Sequence, residues 1–324
     1  MVKQEVLAAL DAVRGRYISG QELAAQLGVS RTAVWKAVAA LRRDGIPIKA
    51  VTNRGYTLAQ SVDVLNAAAV AAQLDEATVK ALQIEVVDRL PGTNAALRSR
   101  ADAGAREGLV LIAQAQSAGR GRGGHSFYSP PGGLYMSILL RPEIGARQAV
   151  GLTAMAAVAA ARAAERLCGV PITIKWVNDL WKNGKKVCGI LTEAGTDLES
   201  GQLEWLVVGI GLNLTSTAAD WPEELARRAG SLYPGGPAPV SRAALAGAIA
   251  RELLALCPAF DCLDEYRARC FVPGHWVTVC AETETYAAKA LAIDEEGRLV
   301  IQRENGRQEA LRCGEVTTRP ARTE

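Results

Sequence analysis

The segment from Gln114 to Pro130 has the composition of an anion-binding loop. It reads QAQSAGRGRGGHSFYSP, and four of the six residues from Gly119 to Gly124 are glycines, the other two being Arg120 and Arg122. Glycine lets backbone N–H groups approach an anion closely, and a guanidinium group can pair both its edges with phosphate or carboxylate oxygens. The loop therefore predicts a site for a phosphate or a carboxylate. The alternative is a solvated basic turn.

Gly119, Gly121 and Gly124 also match the pattern G-x-G-x-x-G. In a dinucleotide-binding domain that pattern opens a helix and is followed by an acidic residue about 20 positions later. Here the run SPPGG at 129–133 prevents a helix, and the residues after it have the pattern of a strand. A kinase glycine loop is excluded as well, because the chain has no H-R-D or D-F-G motif.

A second group of polar residues lies in the segment KWVNDLWKNGKKVCGILTE at 175–193. We expect three of them at the end of a strand: Lys175, Asn178 and Asp179. Lys185 and Lys186 follow Asn183-Gly184, a strong signal for a two-residue hairpin turn. A lysine that faces a protein interior is costly unless it meets an anion. From the residues alone, however, the preferred interpretation is that both lysines are edge charges that discourage strand pairing.

The elements that carry these segments alternate between strand and helix from about residue 86 to residue 270. Apolar runs predict the strands IEVVDRL, LVLIAQAQ, LYMSILLRP, ITIKWVNDLWKN, KKVCGILTEAG and LEWLVVGIGLNL. The alanine-rich stretch 147–168 predicts a helix, and residues 63–85 predict a linker helix. Because several strands are joined by short turns, we expect a mixed or mainly antiparallel sheet, hence an α+β fold, over 63–270. Residues 271–324 predict a small β-barrel of four or five strands.

Residues 1–62 predict a winged helix-turn-helix. Three helical segments precede two short alternating segments, which flank the turn residues 52–55. Gly28 is expected to end the second helix, Ser30 to cap the third helix, and Gly45 to end it. The alternative is a three-helix packing domain without a nucleic-acid partner.

The charge distribution favours DNA as the partner of this head. Residues 1–60 contain nine Lys and Arg against four acids, a net charge of +5, whereas the remainder of the chain has a net charge of −2. The first half of the third helix is where a recognition helix contacts bases and phosphates. The candidate DNA-binding residues are Gly20, Gln21, Ser30, Arg31, Thr32, Trp35, Lys36 and Arg54. For Trp35, partial burial as a packing residue is an equally good interpretation.

The bulk composition is that of an ordinary globular protein, with 49% hydrophobic and 22% charged residues. No apolar run reaches the roughly 20 residues of a membrane span, and the N-terminus lacks the features of a signal peptide. Seven scattered cysteines without a C-x-x-C pair predict neither a disulfide framework nor a zinc site. With only two histidines, a histidine-rich metal centre is not expected either. We therefore expect a cytoplasmic protein without a metal site of its own.

In combination, these motifs resemble the bifunctional biotin–protein ligase and biotin-operon repressor family. The resemblance runs along essentially the whole chain, and the glycine–arginine loop together with KWVNDL is its most specific part. The motifs are SRTAVWK at 30–36, GTN at 92–94, QSAGRGRGG at 116–124, KWVNDL at 175–180, KKVCGIL at 185–191, GIGLNL at 209–214 and GEVTTRP at 314–320. The related lipoate ligases share the fold, but their own arginine–glycine signature is missing.

This resemblance implies a winged helix-turn-helix, a central mixed α/β ligase domain and a C-terminal SH3-like barrel. It also implies activation of biotin by ATP, with Mg²⁺, to biotinyl-5'-AMP. Transfer to a lysine of a biotin carboxyl carrier protein, such as that of acetyl-CoA carboxylase, would follow. Operator DNA and a ligand-dependent homodimer are the other implied partners.

The resemblance further implies which residues form the site. Lys186, Arg120 and Arg122 would be catalytic. The biotin-binding residues would be Gly92, Thr93, Asn94, Gln116, Arg120, Gly121, Arg122, Lys186 and Gly189. The ATP- or adenylate-binding residues would be Gly119, Arg120, Arg122, Asn178, Asp179, Lys186, Gly211 and Asn213. Gly209 would help the backbone to close on the ligand.

At three places the chain departs from the family pattern. Gly92 stands where the family usually has Ser, Val177 replaces a usual Pro, and His125-Ser126-Phe127 replaces a basic-x-Trp sequence. Two alternative functions therefore stay open. One is a biotin-sensing DNA-binding regulator without ligase turnover, and the other is a ligase whose N-terminal domain has no regulatory role.

Overall fold

A computed structural model describes residues 2–43, 46–59, 62–142, 149–196, 202–257, 262–281, 284–312 and 314–318. Within these ranges the strands form sheets of two, seven and five strands. None of the helices found there combines the length and the apolar character that crossing a membrane would require.

The N-terminal head has the predicted winged helix-turn-helix order. It comprises α1 (Val2–Ala12), α2 (Gly20–Leu27), α3 (Arg31–Arg43), β1 (Ile48–Val51) and β2 (Gly55–Leu58), the two strands pairing antiparallel. Ser19 and Glu22 form a capping box that starts α2, and Gly28 ends it with φ at 65°. The amide of Ala33 donates to Ser30 Oγ at 3.1 Å, which confirms the cap of α3. The predicted end of α3 at Gly45 lies outside the described residues.

The single linker helix predicted over 63–85 is wrong. The segment contains two short helices, α4 (Ala67–Ala71) and α5 (Glu76–Ala81). Its last residues, 83–85, already belong to β3 (Gln83–Leu90). Asn66 accepts from the amide of Ala69 and Asp75 accepts from the amide of Thr78, so each starts a new helix. The competing caps divide the segment because an Asp or Asn side chain satisfies the free amides of a first turn.

The seven-stranded sheet confirms the expected mainly antiparallel topology. It adds β4 (Leu109–Gln116), β5 (Gly133–Leu140), β6 (Thr173–Lys175), β7 (Asp179–Lys182), β8 (Lys185–Thr196) and β9 (Leu203–Asn213) to β3. The order is β3-β4-β5-β9-β8-β7-β6, and among the described strands the β3–β4 pair alone is parallel. One boundary was wrong: the predicted strand ITIKWVNDLWKN is a hairpin, in which β6 and β7 flank a turn at 176–178 with a cis Trp176–Val177 peptide.

Helices cover both faces of this sheet. On one face α6 (Thr93–Asp102) packs its Leu97 and Ala101 against β4, β5 and β9. On the other face lie α7 (Ala149–Cys168), α9 (Arg242–Leu256) and α10 (Leu263–Arg269). The predicted start of α7 at 147 lies outside the described residues. The short helix α8 (Glu223–Ala226) lies between β9 and α9 in the chain. The site described below is on the α6 side.

The C-terminal unit is a five-stranded antiparallel sheet, as expected for the small barrel. Its strands are β10 (Trp276–Cys280), β11 (Thr285–Ile293), β12 (Leu299–Arg303), β13 (Gln308–Leu311) and β14 (Glu315–Thr318), in the order β13-β12-β11-β10-β14. Val277, Ala288 and Ile301 are among its fully buried residues.

The head and the sheet domain share one apolar core. Helix α1 packs on α4, which in turn packs on α9, and Val6, Leu10 and Val70 belong to the same buried cluster as the residues of α9. Asp63 forms an ion pair with Arg242, the first residue of α9. The domain limits at 62/63 and 270/271 stay predictions.

Candidate active site

Three glycines form a ledge on the α6 side of the large sheet. In the strand register Gly189 of β8 lies opposite Gly211 of β9, and Gly209 lies two residues from Gly211 on the same strand. Residues two apart on a strand point to the same face. The absence of side chains at these positions leaves backbone accessible at the centre of the sheet. We call these three residues the glycine ledge.

The aromatic ring of Phe127 lies on this ledge. A Cβ atom added to Gly211 would be 2.4 Å from Phe127 Cε1, and one added to Gly189 would be 2.9 Å from Phe127 Cε2. The ring also makes an edge-to-face contact with Tyr135, with 6.4 Å between the centroids. Only glycine therefore permits this close approach of the ring to both strands.

A polar wall borders the ledge where α6 begins. The amide of Thr93 donates to Gln116 Oε1 at 2.8 Å, and Gln116 Nε2 donates to Ser129 Oγ at 2.8 Å. Ser137 Oγ, on β5, is 2.7 Å from Thr93 Oγ1 and 2.6 Å from Asn94 Oδ1. Thr93 and Ser137 are buried, so this network fixes the orientation of the wall.

Asn94 joins the wall to the ledge. Its Nδ2 donates to the carbonyl oxygen of Leu191 at 3.0 Å and to Glu193 Oε2 at 2.9 Å. Glu193 Oε1 also accepts from Arg98 at 2.8 Å. A Cβ on Gly209 would lie only 1.9 Å from Asn94 Oδ1. The position of Asn94 thus depends on Gly209 remaining a glycine.

The glycine–arginine loop folds into a small hairpin beside Phe127. The amide of Gly121 donates to the carbonyl of His125 at 2.8 Å, and the amide of Phe127 donates to the carbonyl of Gly119 at 2.8 Å. The segment from Arg122 contains one 3₁₀ turn instead of a helix, which confirms the rejection of the dinucleotide motif. Within the described ranges, no side-chain hydrogen bond or ion pair is found for Arg120 or Arg122, whereas the carbonyl of Arg122 accepts from the amide of His125 at 3.2 Å. The backbone bonds of this hairpin thus hold two arginines on a structured loop.

Lys186 faces the ledge, so the interpretation of this lysine as an edge charge is wrong. Its Nζ is 2.6 Å from Asp179 Oδ1, and a Cβ added to Gly189 would be 3.3 Å from the same Nζ. The backbone of Lys186 is bonded on both sides, to the carbonyl of Arg228 and to the amide of Gly230. Lys185 behaves differently, because its Nζ donates to the carbonyl of Ala226 at 3.1 Å.

Two asparagines predicted to bind the nucleotide have different environments. Asn178 Nδ2 donates to the carbonyl of Ile190 at 2.6 Å and so ties the 176–178 turn to β8. Asn213 Nδ2 donates to the carbonyl of Gly230 at 3.0 Å, whereas its buried Oδ1 has no partner in the described part of the chain. A buried acceptor without a partner is costly, and a ligand donor would relieve that cost.

The structure brings most of the predicted site residues to one place. Around the ledge lie the following: Thr93, Asn94, Gln116, Gly119, Asp179, Lys186, Gly189, Gly209 and Gly211. Gly92 is the N-cap residue of α6 and supplies no side-chain bond to it, in keeping with the departure from Ser. Gly121 carries the loop backbone that bonds His125.

Sequence reasoning missed Ser129, Ser137 and Glu193, which orient the polar wall, and it treated Phe127 only as a departure. Ser137 had a usable signal, because it is the only polar side chain besides the Tyr135 hydroxyl in the strand GLYMSILL. A lone buried polar residue in an apolar strand predicts a specific partner.

On the head, the predicted DNA-binding residues of α3 form an exposed surface. Arg31, Thr32 and Lys36 are exposed, and Trp35 is 61% exposed, which excludes its interpretation as a packing residue. Arg54 lies in the wing turn, with its guanidinium 4.5 Å from the centroid of the Tyr17 ring. Gly20 is placed differently: a Cβ there would be 3.3 Å from the ring of Tyr56, so the glycine serves packing between α2 and the wing.

Fold and site together define a class: a winged helix-turn-helix head joined to a sheet domain that carries a glycine–arginine loop beside the glycine ledge. Comparison with known proteins agrees. The model of the biotin/lipoate A/B protein ligase family matches residues 86–213, an HTH domain matches residues 3–57, and the biotin protein ligase C-terminal domain matches residues 274–317.

The chain belongs to the biotin/lipoate A/B protein ligase family. It is 32% identical over 318 residues to the bifunctional ligase/repressor BirA of Bacillus spizizenii, covering 94% of this chain and 95% of that one. It is 33% identical over 246 residues to the biotin–[acetyl-CoA-carboxylase] ligase of Mycobacterium tuberculosis, covering 72% and 88%. A solved structure of the Aquifex aeolicus biotin protein ligase in complex with biotin and ATP superposes with a TM-score of 0.60 at 26% identity, covering 74% of this chain and 99% of that one.

Proposed function

We propose that this protein is a biotin–protein ligase that also acts as a biotin-responsive transcriptional repressor. It activates biotin with ATP to biotinyl-5'-AMP and transfers the biotinyl group to a lysine of a biotin carboxyl carrier protein. The observation that carries the proposal is the placement of Arg120, Arg122 and Lys186 on the structured loop and strand beside the glycine ledge.

The first half-reaction brings two anions together. The biotin carboxylate attacks the α-phosphorus of ATP, a bond forms between carboxylate oxygen and phosphorus, and pyrophosphate leaves. The barrier is lowered by holding the reactants in line and by placing positive charge where the phosphorane charge develops. Arg120 and Arg122 hold the carboxylate and the α-phosphate. Lys186 lies between these two anions. No covalent enzyme intermediate is needed.

The second half-reaction needs less from the protein. A neutral lysine amine of the carrier attacks the acyl carbon of the mixed anhydride, the acyl–phosphate bond breaks, and AMP leaves while the amine loses a proton to solvent. The polar wall of Thr93, Asn94 and Gln116 holds the ureido ring of biotin. Gly119 and Asn213 contribute to the nucleotide side, with the free Oδ1 of Asn213 as an acceptor.

Magnesium enters with ATP as part of the substrate. The described residues contain no group of three His, Cys, Asp or Glu side chains that could hold a metal ion, and the Asp179 carboxylate is already paired with Lys186. Mg²⁺ usually keeps several waters and binds through substrate phosphates, a mode that does not require a protein cage.

Incubation with biotin, MgATP and a purified carrier domain tests the enzymatic part. We expect mass spectrometry to show the addition of one biotinyl group to the carrier, dependent on ATP and abolished when the acceptor lysine is replaced by arginine. Release of pyrophosphate is measured in parallel. Biotin binding without pyrophosphate release would identify the protein as a sensor without turnover and reject the ligase.

Repression requires DNA binding through the head. The exposed Arg31, Thr32, Trp35 and Lys36 line one side of α3, and the wing carries Arg54. We infer that biotinyl-5'-AMP drives dimerisation, which joins two heads into one unit that binds a two-half-site operator. The gain in affinity then comes from effective concentration, because no ligand atom contacts DNA.

Arg31→Ala and Lys36→Ala should each weaken operator binding while ligation continues. Each lost phosphate contact makes the negative slope of log K against log salt shallower by about 0.9. The matched control is Lys80→Ala, because this lysine is exposed on α5, away from α3. Affinity is measured at several salt concentrations with and without biotin plus ATP. Equal operator affinity with and without ligand, in a protein that makes the adenylate, would reject the repressor role.

A further inference from the structure

The turn at 176–178, between β6 and β7, is held by a bond from the C-terminal sheet. The indole Nε1 of Trp176 donates to the carbonyl oxygen of Gly297 at 3.0 Å, and the Trp176 side chain is buried, with 3% exposure. The two residues are 121 positions apart in the chain. A buried bond of this span connects the catalytic sheet domain to the C-terminal unit.

The Gly297 carbonyl is presented by a tightly bonded turn between β11 and β12. Asp294 Oδ1 accepts from the amides of Glu296 at 3.0 Å and Arg298 at 2.8 Å, and Asp294 Oδ2 accepts from Arg298 Nε at 2.6 Å. Burial alone would raise the pKa of Asp294, but these donors outweigh it and lower that pKa. Gly297 has φ at 78°, a conformation that glycine adopts without strain. The acceptor for Trp176 is therefore fixed in position.

The residues that follow Trp176 lead directly to the proposed catalytic pair. The carbonyl of Val177 accepts from the hydroxyl of Tyr266 at 3.0 Å. Asn178 exchanges two bonds with Ile190 of β8, through its carbonyl at 3.0 Å and its side chain at 2.6 Å. Asp179 comes next and holds Lys186 Nζ at 2.6 Å. Two residues, Val177 and Asn178, thus separate the C-terminal contact of Trp176 from the carboxylate that orients Lys186.

We propose that Trp176 is a positioning residue for adenylate formation, which sets the Asp179–Lys186 pair through its bond to Gly297. The C-terminal sheet is by this route a part of the activation machinery. The inference rests on the proposed function for its kinetic consequence, and on the geometry alone for the position of Lys186. A displacement of about 1 Å at a catalytic group can cost on the order of 100-fold in rate.

Trp176→Phe tests this directly, since it keeps an aromatic ring and removes the N–H donor. We expect the kcat of adenylate formation to fall by about 10-fold or more. This rate is measured by ATP–pyrophosphate exchange. Transfer from preformed biotinyl-5'-AMP to the carrier should be unchanged, and so should the Kd of biotin, because the polar wall lies on α6, β4 and β5. Equal losses in both half-reactions, or no loss in either, would overturn the proposal.

A second pair of variants changes Asp294, which holds the turn that presents the Gly297 carbonyl to Trp176. Asp294 is not one of the proposed catalytic residues. Asp294→Asn keeps a side-chain oxygen that can accept the amides of Glu296 and Arg298, and Asp294→Ala removes it. We expect the Asn variant to retain adenylation and the Ala variant to resemble Trp176→Phe. Combining Trp176→Phe with Asp294→Ala should add little, because both remove the same connection. Fully additive losses would contradict the proposal.

A readout independent of ligation separates this inference from the proposed function. The rate of amine labelling of Lys186 is measured by mass spectrometry in the protein without ligand, with Lys185 as the internal control. In Trp176→Phe we expect faster labelling of Lys186, as its bond to Asp179 loosens, and unchanged labelling of Lys185. Unchanged labelling of Lys186 would refute the positioning role. A wild-type protein that makes no adenylate would refute the proposed function instead.

Discussion

Lys186→Ala is expected to lower the rate of biotinyl-5'-AMP formation by about 100- to 1000-fold, the loss typical of removing one preorganised donor to a developing charge. The ammonium group is needed when carboxylate and α-phosphate approach each other. Its removal also leaves the Asp179 carboxylate unpaired beside the reacting anions, which adds repulsion. Single-turnover measurement of adenylate formation at saturating biotin and MgATP gives the rate directly.

The neighbouring lysine provides the control for this experiment. Lys185→Ala removes a side chain that donates to the Ala226 carbonyl and does not reach the ledge, so we expect near wild-type adenylation. The Lys186–Asp179 pair is partly exposed, with 33% and 19% of the side chains accessible. Its loss should therefore change the free energy of unfolding by no more than about 1 kcal/mol. Adenylation at the wild-type rate in Lys186→Ala would show that this lysine has no catalytic role.

Gly209→Ala is expected to weaken biotin binding by about 10- to 100-fold, because the added Cβ would lie 1.9 Å from Asn94 Oδ1 and displaces that side chain. Asn94 would then lose its bonds to the Leu191 carbonyl and to Glu193. Net contributions of about 0.5–1.5 kcal/mol for each hydrogen bond, together with the lost ureido contact, account for this size of effect. Isothermal calorimetry with biotin alone measures it.

Gly236→Ala is the matched control, since a Cβ at that position would meet no atom within 4 Å. It should leave the Kd of biotin unchanged. If Gly209→Ala also binds biotin as tightly as the wild type, the polar wall is not the ureido site.

The sequence was sufficient for several elements whose formation depends on neighbouring residues. The run LVLIAQAQ became β4 without a change of boundary, and the cap at Ser30 started α3 as expected. These elements follow from local apolar periodicity and from side chains that satisfy the nearest free amides.

The turn at 176–178 shows where such local reasoning fails. Two of its three residues, Trp176 and Val177, favour a strand. Two of the bonds that hold the turn come from Tyr266 and Gly297, far along the chain. The periodicity of the segment therefore resembled one continuous strand.

Lys186 was misjudged for a related reason. The register between β7 and β8 shifts by one residue between Leu180 and Trp181. A bulge of this kind reverses the alternation of side chains on one strand. The bulge places Lys186 on the same face of the sheet as Gly189, whereas in a regular strand residues three apart point to opposite faces. Such a bulge depends on strand pairing, which cannot be derived from the residues of one strand.

The apolar core shared by α1, α4 and α9 means that the head is not a detachable module. Cutting the chain after residue 60 would uncover Ala69 and Val70, which are 0% and 1% exposed beneath α1. The shortened protein would expose an apolar surface that α1 covers in the full chain. Any change in its ligation activity could therefore not be ascribed to the loss of DNA binding. Substitutions on the outer face of α3 separate the two activities, whereas truncation damages both. The DNA-binding head and the catalytic domain therefore depend on the same apolar core for their stability.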